Sequence, residues 1–210
     1  MRAPRTRLVL VRHGQTDYNR DGRLQGQVDI PLNETGIRQA ESLAATVTEN
    51  PPDVVVASPL ERAVETARIA TRGTDLEVTT DAAFLERSFG RWEGLKGEEI
   101  RHRWPAEHAD WRAHRPVLGL DVEDRPEVGE RVAAACRDLV ARHGGGTVMV
   151  VAHGAAITLG ITALLGLDTH EFRGVAGLEN CHRSVLEPLL GEPADGLMRL
   201  VSHNLAPDFL

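Results

Sequence analysis

Cysteine and lysine are nearly missing from this chain, and long apolar runs are missing altogether. Cys136 and Cys181 fit no CxxC or zinc spacing, so they read as reduced thiols of a cytoplasmic protein rather than as a disulfide framework. No stretch approaches the roughly 20 apolar residues that a membrane-spanning helix requires. Leu8 to Val11 is likewise too short for a signal-peptide core. Positive charge is in deficit: Lys96 is the single lysine, and 24 basic residues face 31 acidic ones, a net charge of −7. With no basic excess to neutralise phosphates or acidic headgroups, nucleic acid and membrane surfaces are poor partners. An anionic substrate would need a local cluster of cations working against the overall field. Repeats, low-complexity tracts and linkers are absent as well, so residues 1–210 read as a single α/β domain.

What the chain does have is a set of short β-branched runs that end in chemistry. Leu8-Val9-Leu10-Val11 is a run of strand length, bounded by Arg12-His13-Gly14. Asp53 to Ala57 is a second run, followed by Ser58-Pro59-Leu60-Glu61-Arg62. There Ser58 suits a helix cap, Pro59 the first helical position and Glu61 a capping box. Thr147 to Ala152 is a third run and ends in His153-Gly154. Between the runs, apolar spacing predicts helices over Asn33 to Val47, Pro126 to His143 and from Gly154 to Leu165. Leu76 to Val78 reads as a weak strand, and Val185 to Leu190 with Leu197 to Val201 as two late ones at a sheet edge. Gln15 to Pro31 reads as a loop. Gly97 to Leu120, with Trp104, Trp111, Pro105 and Pro116, reads as short interrupted helices covering a site.

Parallel strands present their carboxyl ends on one edge of the sheet, where α/β proteins bind ligands. His13, His153, Arg12 and Arg62 are thereby expected in one crevice beside helix N-termini, a setting that favours a bound anion. Guanidinium forks match phosphate geometry and oppose a dication, and no HxH or HxxxH spacing exists; a metal is therefore not expected. Each residue also has a plainer reading. A histidine after a strand is usually packed or solvated, and Arg62 alone would pair with Glu61 or Glu65.

These segments closely resemble the histidine phosphatase superfamily, in its phosphoglycerate mutase-like branch. The resemblance rests on Arg12-His13-Gly14-Gln15-Thr16, Ser58 to Ala67, Leu85 to Gly94 and Val151 to Gly154, in that order. Leu24-Gln25-Gly26, Leu32 to Gly36 and Glu123 to Val132 also fit, although Val122 stands where the family usually has a glycine. The resemblance implies a three-layer α/β/α sandwich with a mainly parallel sheet and a small helical cap insertion, the acid loop and cap spanning residues 84–126. It implies a metal-independent and cofactor-free phosphomonoesterase acting on a small phosphorylated metabolite. His13 would be the nucleophile and Glu86 the proton donor and acceptor, while Arg12, Arg62 and His153 would neutralise the phosphoryl oxygens. Thr16, Asn19, Gln25 and Gly26 match positions lining the phosphate or substrate. Glu93 is the second carboxylate of the acid loop, with a surface pairing to Arg91 as its expected role. A homodimer follows from family analogy alone. Two other outcomes share the same residues: a cofactor-dependent phosphoglycerate mutase, and a phospholigand-binding module without chemistry.

Overall fold

The computed structural model describes residues 6–113, 115–189 and 196–207. Its centre is a sheet whose strands lie in the order β3-β2-β4-β1-β5-β6. These are β1 (Arg7–Arg12), β2 (Val54–Ala57), β3 (Val78–Thr80), β4 (Thr147–Ala152), β5 (Arg183–Pro188) and β6 (Met198–Leu205). The pairs β1–β4, β4–β2 and β2–β3 are parallel, and only β5 runs against its neighbours. The expected mainly parallel sheet and its late edge strands are therefore present.

Both faces of the central strands are covered, which is why their sequences are continuously apolar. Leu8, Leu10, Val148 and Val150 point into one core with Val128, Val132, Ile157 and Ile161. Those partners come from α6 (Arg125–Arg142) and α7 (Gly154–Leu164). Val11, Met149 and Val151 point the other way, onto Leu43 and Val47 of α2 (Glu34–Glu49) and Ala63 and Ala67 of α3 (Glu61–Ala70). The alternation yields helices, sheet and helices as three layers. A smaller core of Phe89, Trp92, Ile100, Val117 and Leu120 underlies a cap that contains α4 (Gly97–Arg103) and α5 (Pro105–Arg112).

Several elements depart from the sequence reading. The stretch read as a loop contains α1 (Asp17–Asp21), started by a capping box between Thr16 and Asn19 and stopped by left-handed Gly22. Five residues are too few for a helical period to show. β3 begins at Val78 and continues through Thr79 and Thr80, because ladder bonds to β2, not burial, define it. β5 starts earlier than expected, at Arg183, and Leu190 lies outside the described residues. β6 extends to Leu205 through polar Ser202, His203 and Asn204, which an edge strand tolerates. Among the described residues, no helix is long and apolar enough to cross a membrane.

Candidate active site

The central strands β1 and β4 end side by side, with Arg12 paired to Ala152. His13 and His153 follow them, and their ring centroids are 5.1 Å apart at an interplanar angle of 57°. Both rings are buried. Their hydrogen bonds fix opposite tautomers. His13 Nδ1 lies 2.7 Å from the carbonyl oxygen of Gly14, which can only accept, so Nδ1 carries the proton and Nε2 keeps its lone pair. His153 Nδ1 faces Arg62 Nε at 3.2 Å and must accept, so its proton sits on Nε2, 2.7 Å from Ser58 Oγ. Ser58 is thus not the expected helix cap. α3 is capped at Leu60 without a side-chain bond, and Ser58 Oγ accepts from His153 at 2.7 Å and, more loosely, from the Leu60 N–H at 3.5 Å.

Burial, followed by the nearby guanidiniums of Arg62 and Arg12, holds the His13 imidazole well below the usual histidine range. Burial, Arg62, His13 and Arg12 do the same to His153. Both rings are neutral at neutral pH. Arg62 is fully buried. Besides His153 it donates to the carbonyl oxygens of Val28 (2.8 Å) and Gly26 (2.7 Å), so the pairing with Glu61 or Glu65 does not form. Arg12 Nη1 donates to Leu178 O at 2.6 Å, while its buried Nε has no partner.

Glu86 arrives on irregular chain after β3 and is clamped at the start of α7. Its Oε1 accepts from the backbone N–H groups of Ala156 (2.9 Å) and Arg87 (2.8 Å), its Oε2 from that of Ala155 (3.2 Å). Glu93 is neither an acid in the site nor paired with Arg91. Its Oε1 accepts from Phe89 N–H and Gln27 N–H, each at 3.0 Å, and Arg91 lies over the Trp104 ring instead.

A cavity of about 400 Å³ is lined by Arg12, His13, Asn19, Gln25, Gly26, Arg62 and Glu86, together with cap-side residues such as Phe89 and Ala155. Seven of the nine expected site residues therefore meet in one space. Thr16 and His153 are not in its lining. Thr16 stands behind Gln25, donating to its Oε1 at 2.8 Å, and His153 stands behind Arg62. Among the described residues, no three His, Cys, Asp or Glu side chains are grouped to hold a metal ion.

Three supporting residues escaped the sequence reading. Thr66 Oγ1 accepts the Gly14 N–H at 2.9 Å, and Asn180 Nδ2 donates to the His13 carbonyl at 2.9 Å. Arg131 grips Glu123 through Nε and Nη2 while donating to the carbonyls of Ala83, Leu85 and Glu86. The acid loop is thereby fixed to α6. The motif around Glu123 was visible in the sequence, but its role in holding the loop was not.

Residues 8–198 match the sequence profile of the histidine phosphatase superfamily, branch 1. The chain is 36% identical to glucosyl-3-phosphoglycerate phosphatase of Mycobacterium tuberculosis over 83% of its own length and 82% of that protein. It is 33% identical to phosphoserine phosphatase 1 of Hydrogenobacter thermophilus over 86% of its length and 85% of that protein. Among solved structures, a mycobacterial glucosyl-3-phosphoglycerate phosphatase in complex with VO3 superimposes with a TM-score of 0.83 at 32% identity, covering 95% of this chain and 99% of that one.

Proposed function

The chain belongs to the histidine phosphatase superfamily, branch 1, and from that premise we propose that it is a phosphomonoesterase that hydrolyses a small phosphorylated metabolite through a phosphohistidine on His13. The observation that carries this reading is the His13 tautomer. A neutral imidazole with its proton locked on Nδ1 by Gly14 O presents a bare Nε2 in a cavity shared with Arg12, Arg62 and Glu86.

Nε2 attacks phosphorus in line with the ester oxygen. The N–P bond forms as the P–O bond breaks, and protonated Glu86 gives its proton to the departing oxygen. Charge spreads over the three equatorial oxygens. The guanidiniums of Arg12 and Arg62, which line the cavity, meet that charge. The carboxylate left on Glu86 rests on three backbone N–H groups and then takes a proton from water. That water displaces Nε2 from phosphorus, releasing phosphate and restoring the neutral ring. His153 serves through Arg62, which it orients, and Thr16 serves through Gln25. The reaction needs no metal and no cofactor. We assign the protein to the cytoplasm on the same footing, supported by Cys136 and Cys181 being free and buried.

The test is hydrolysis of p-nitrophenyl phosphate in the presence of a chelator, comparing the wild type with His13→Ala. Release of nitrophenol by the wild type and its loss in the variant are expected; equal rates would leave a binding module. With 3-phosphoglycerate and 2,3-bisphosphoglycerate supplied together, phosphate release should outpace isomerisation. The opposite order would make the protein a mutase.

A further inference from the structure

Beside the active-site cavity lies a second one of about 330 Å³, lined by Arg87, Phe89, Trp111, Arg112, Arg125 and Ala155. Phe89 and Ala155 line both spaces. The Ala155 N–H donates to Glu86 Oε2 at 3.2 Å, so a residue of the shared wall is bonded to the group that serves the leaving oxygen. Three guanidiniums and two aromatic rings form its wall, and no carboxylate does.

The cations there are not used up by the fold. Arg125 is half-buried, and among the described residues its one hydrogen bond runs from Nε to the carbonyl of Thr169 at 2.8 Å. Burial and the repulsion of Arg173 and Arg87 push its guanidinium down to about 10, with no acid opposing them. Arg112 is exposed at the end of α5, and among the described residues neither it nor Arg125 forms an ion pair. The other cap arginines differ: Arg115 is held by Asp110 and Arg103 lies near Glu99. Arg87 donates from Nε to Glu123 O and lies with its guanidinium 5.6 Å from the Phe89 ring centre.

We propose that the alcohol released from the substrate carries an anionic group of its own, a carboxylate or a second phosphate, and that Arg112 and Arg125 receive it in this chamber while Phe89 and Trp111 cover the carbon skeleton. The inference rests on the phosphomonoesterase reading. Among the described residues Arg112 and Arg125 have no ion-pair partner, and forked guanidiniums fit both anions.

The experiment measures kcat/KM for three classes of ester: p-nitrophenyl phosphate, carboxylate-bearing phosphoserine and 3-phosphoglycerate, and a sugar bisphosphate. It uses the wild type, Arg112→Ala, Arg125→Ala and Arg125→Lys. The wild type should prefer one anion-bearing class over p-nitrophenyl phosphate, and which class it prefers identifies the anion. In both alanine variants the ratio of kcat/KM for the anion-bearing ester to that for p-nitrophenyl phosphate should fall about 10- to 100-fold, the worth of one charge-assisted hydrogen bond. Arg125→Lys should recover part of it. Arg112 is exposed, so its variant reports on the chamber even where Arg125→Ala fails to fold. An unchanged ratio in Arg112→Ala overturns the inference and leaves the phosphatase reading standing. A wild type inert on every ester overturns the phosphatase reading itself.

Discussion

Arg62 is a fully buried cation whose hydrogen bonds end on two carbonyl oxygens and one imidazole nitrogen, never on a carboxylate. Burying a charge without a contacting opposite charge is costly, and such a group persists where an anion completes it. Its shape matters as much as its charge. Nε, Nη1 and Nη2 each hold a different partner, and a lysine ammonium on a flexible stem cannot reproduce that fork. Arg62→Lys should therefore lower kcat about 10²- to 10³-fold, as loss of one preorganised donor does in comparable oxyanion sites. The variant should also lose most of the thermal stabilisation that inorganic phosphate gives the wild type, since a ligand stabilises only in proportion to its affinity for the folded state. A steady-state assay with a phosphate-dependent melting curve checks both. A lysine variant of near-native kcat would show that charge alone suffices.

Between elements, the loop carrying His13 is held by the start of α2. A Cβ at Gly36 would lie 2.1 Å from the Gln15 carbonyl oxygen, and one at Gly14 would lie 2.5 Å from Gly36 O. These are backbone atoms, so the loop or the helix must move. Gly36→Ala should cost about 1–3 kcal/mol, in line with overpacking elsewhere, and should lower kcat by displacing Gln15 and its neighbours. Gly97→Ala, with nothing within 4 Å of its added Cβ, is the matched control. Urea unfolding and kcat for the two variants decide it: equal stability would mean the loop yields freely. The same contacts explain what the sequence could reveal. β1 and β4 were legible because burial on both faces leaves an unbroken apolar run, and the histidines were legible because those runs stop at them. Ser58 fits a cap equally well before Pro59, and only His153, placed just past the end of β4, shows its use. Thr66 and Arg131 lie within motifs the sequence shows, but their roles, like that of Asn180, come from tertiary contacts far apart in sequence. Arg112 and Arg115 sit close together in the cap sequence, and only Asp110, which holds Arg115, separates their roles.

For the molecule as a whole, two neutral buried imidazoles link folding to pH. His13 and His153 are both held well below their ordinary value of 6.5 in the folded state, chiefly by burial and then by the guanidiniums. Once unfolded, each ring takes up a proton as pH falls through the usual histidine range, while the folded rings do not. The unfolded chain then binds more protons, so stability rises with pH up to about 6.5, levels off above it, and is lost progressively below it. Each ring contributes a limiting slope of about 1.4 kcal/mol per pH unit in that window. The overall charge works in the other direction: a net −7 is reduced by acid, which relieves self-repulsion in the compact state. Comparing variants removes that common background. Urea unfolding at pH 7.5 and 5.5 should show a clear loss of stability in the wild type and a loss smaller by up to one such slope in His13→Gln. His153→Gln should behave alike, provided Ser58 and Arg62 find the glutamine amide. Parallel pH dependences in the wild type and His13→Gln would mean that His13 takes a proton in the folded protein, and with it the bare Nε2 required for attack on phosphorus would be gone.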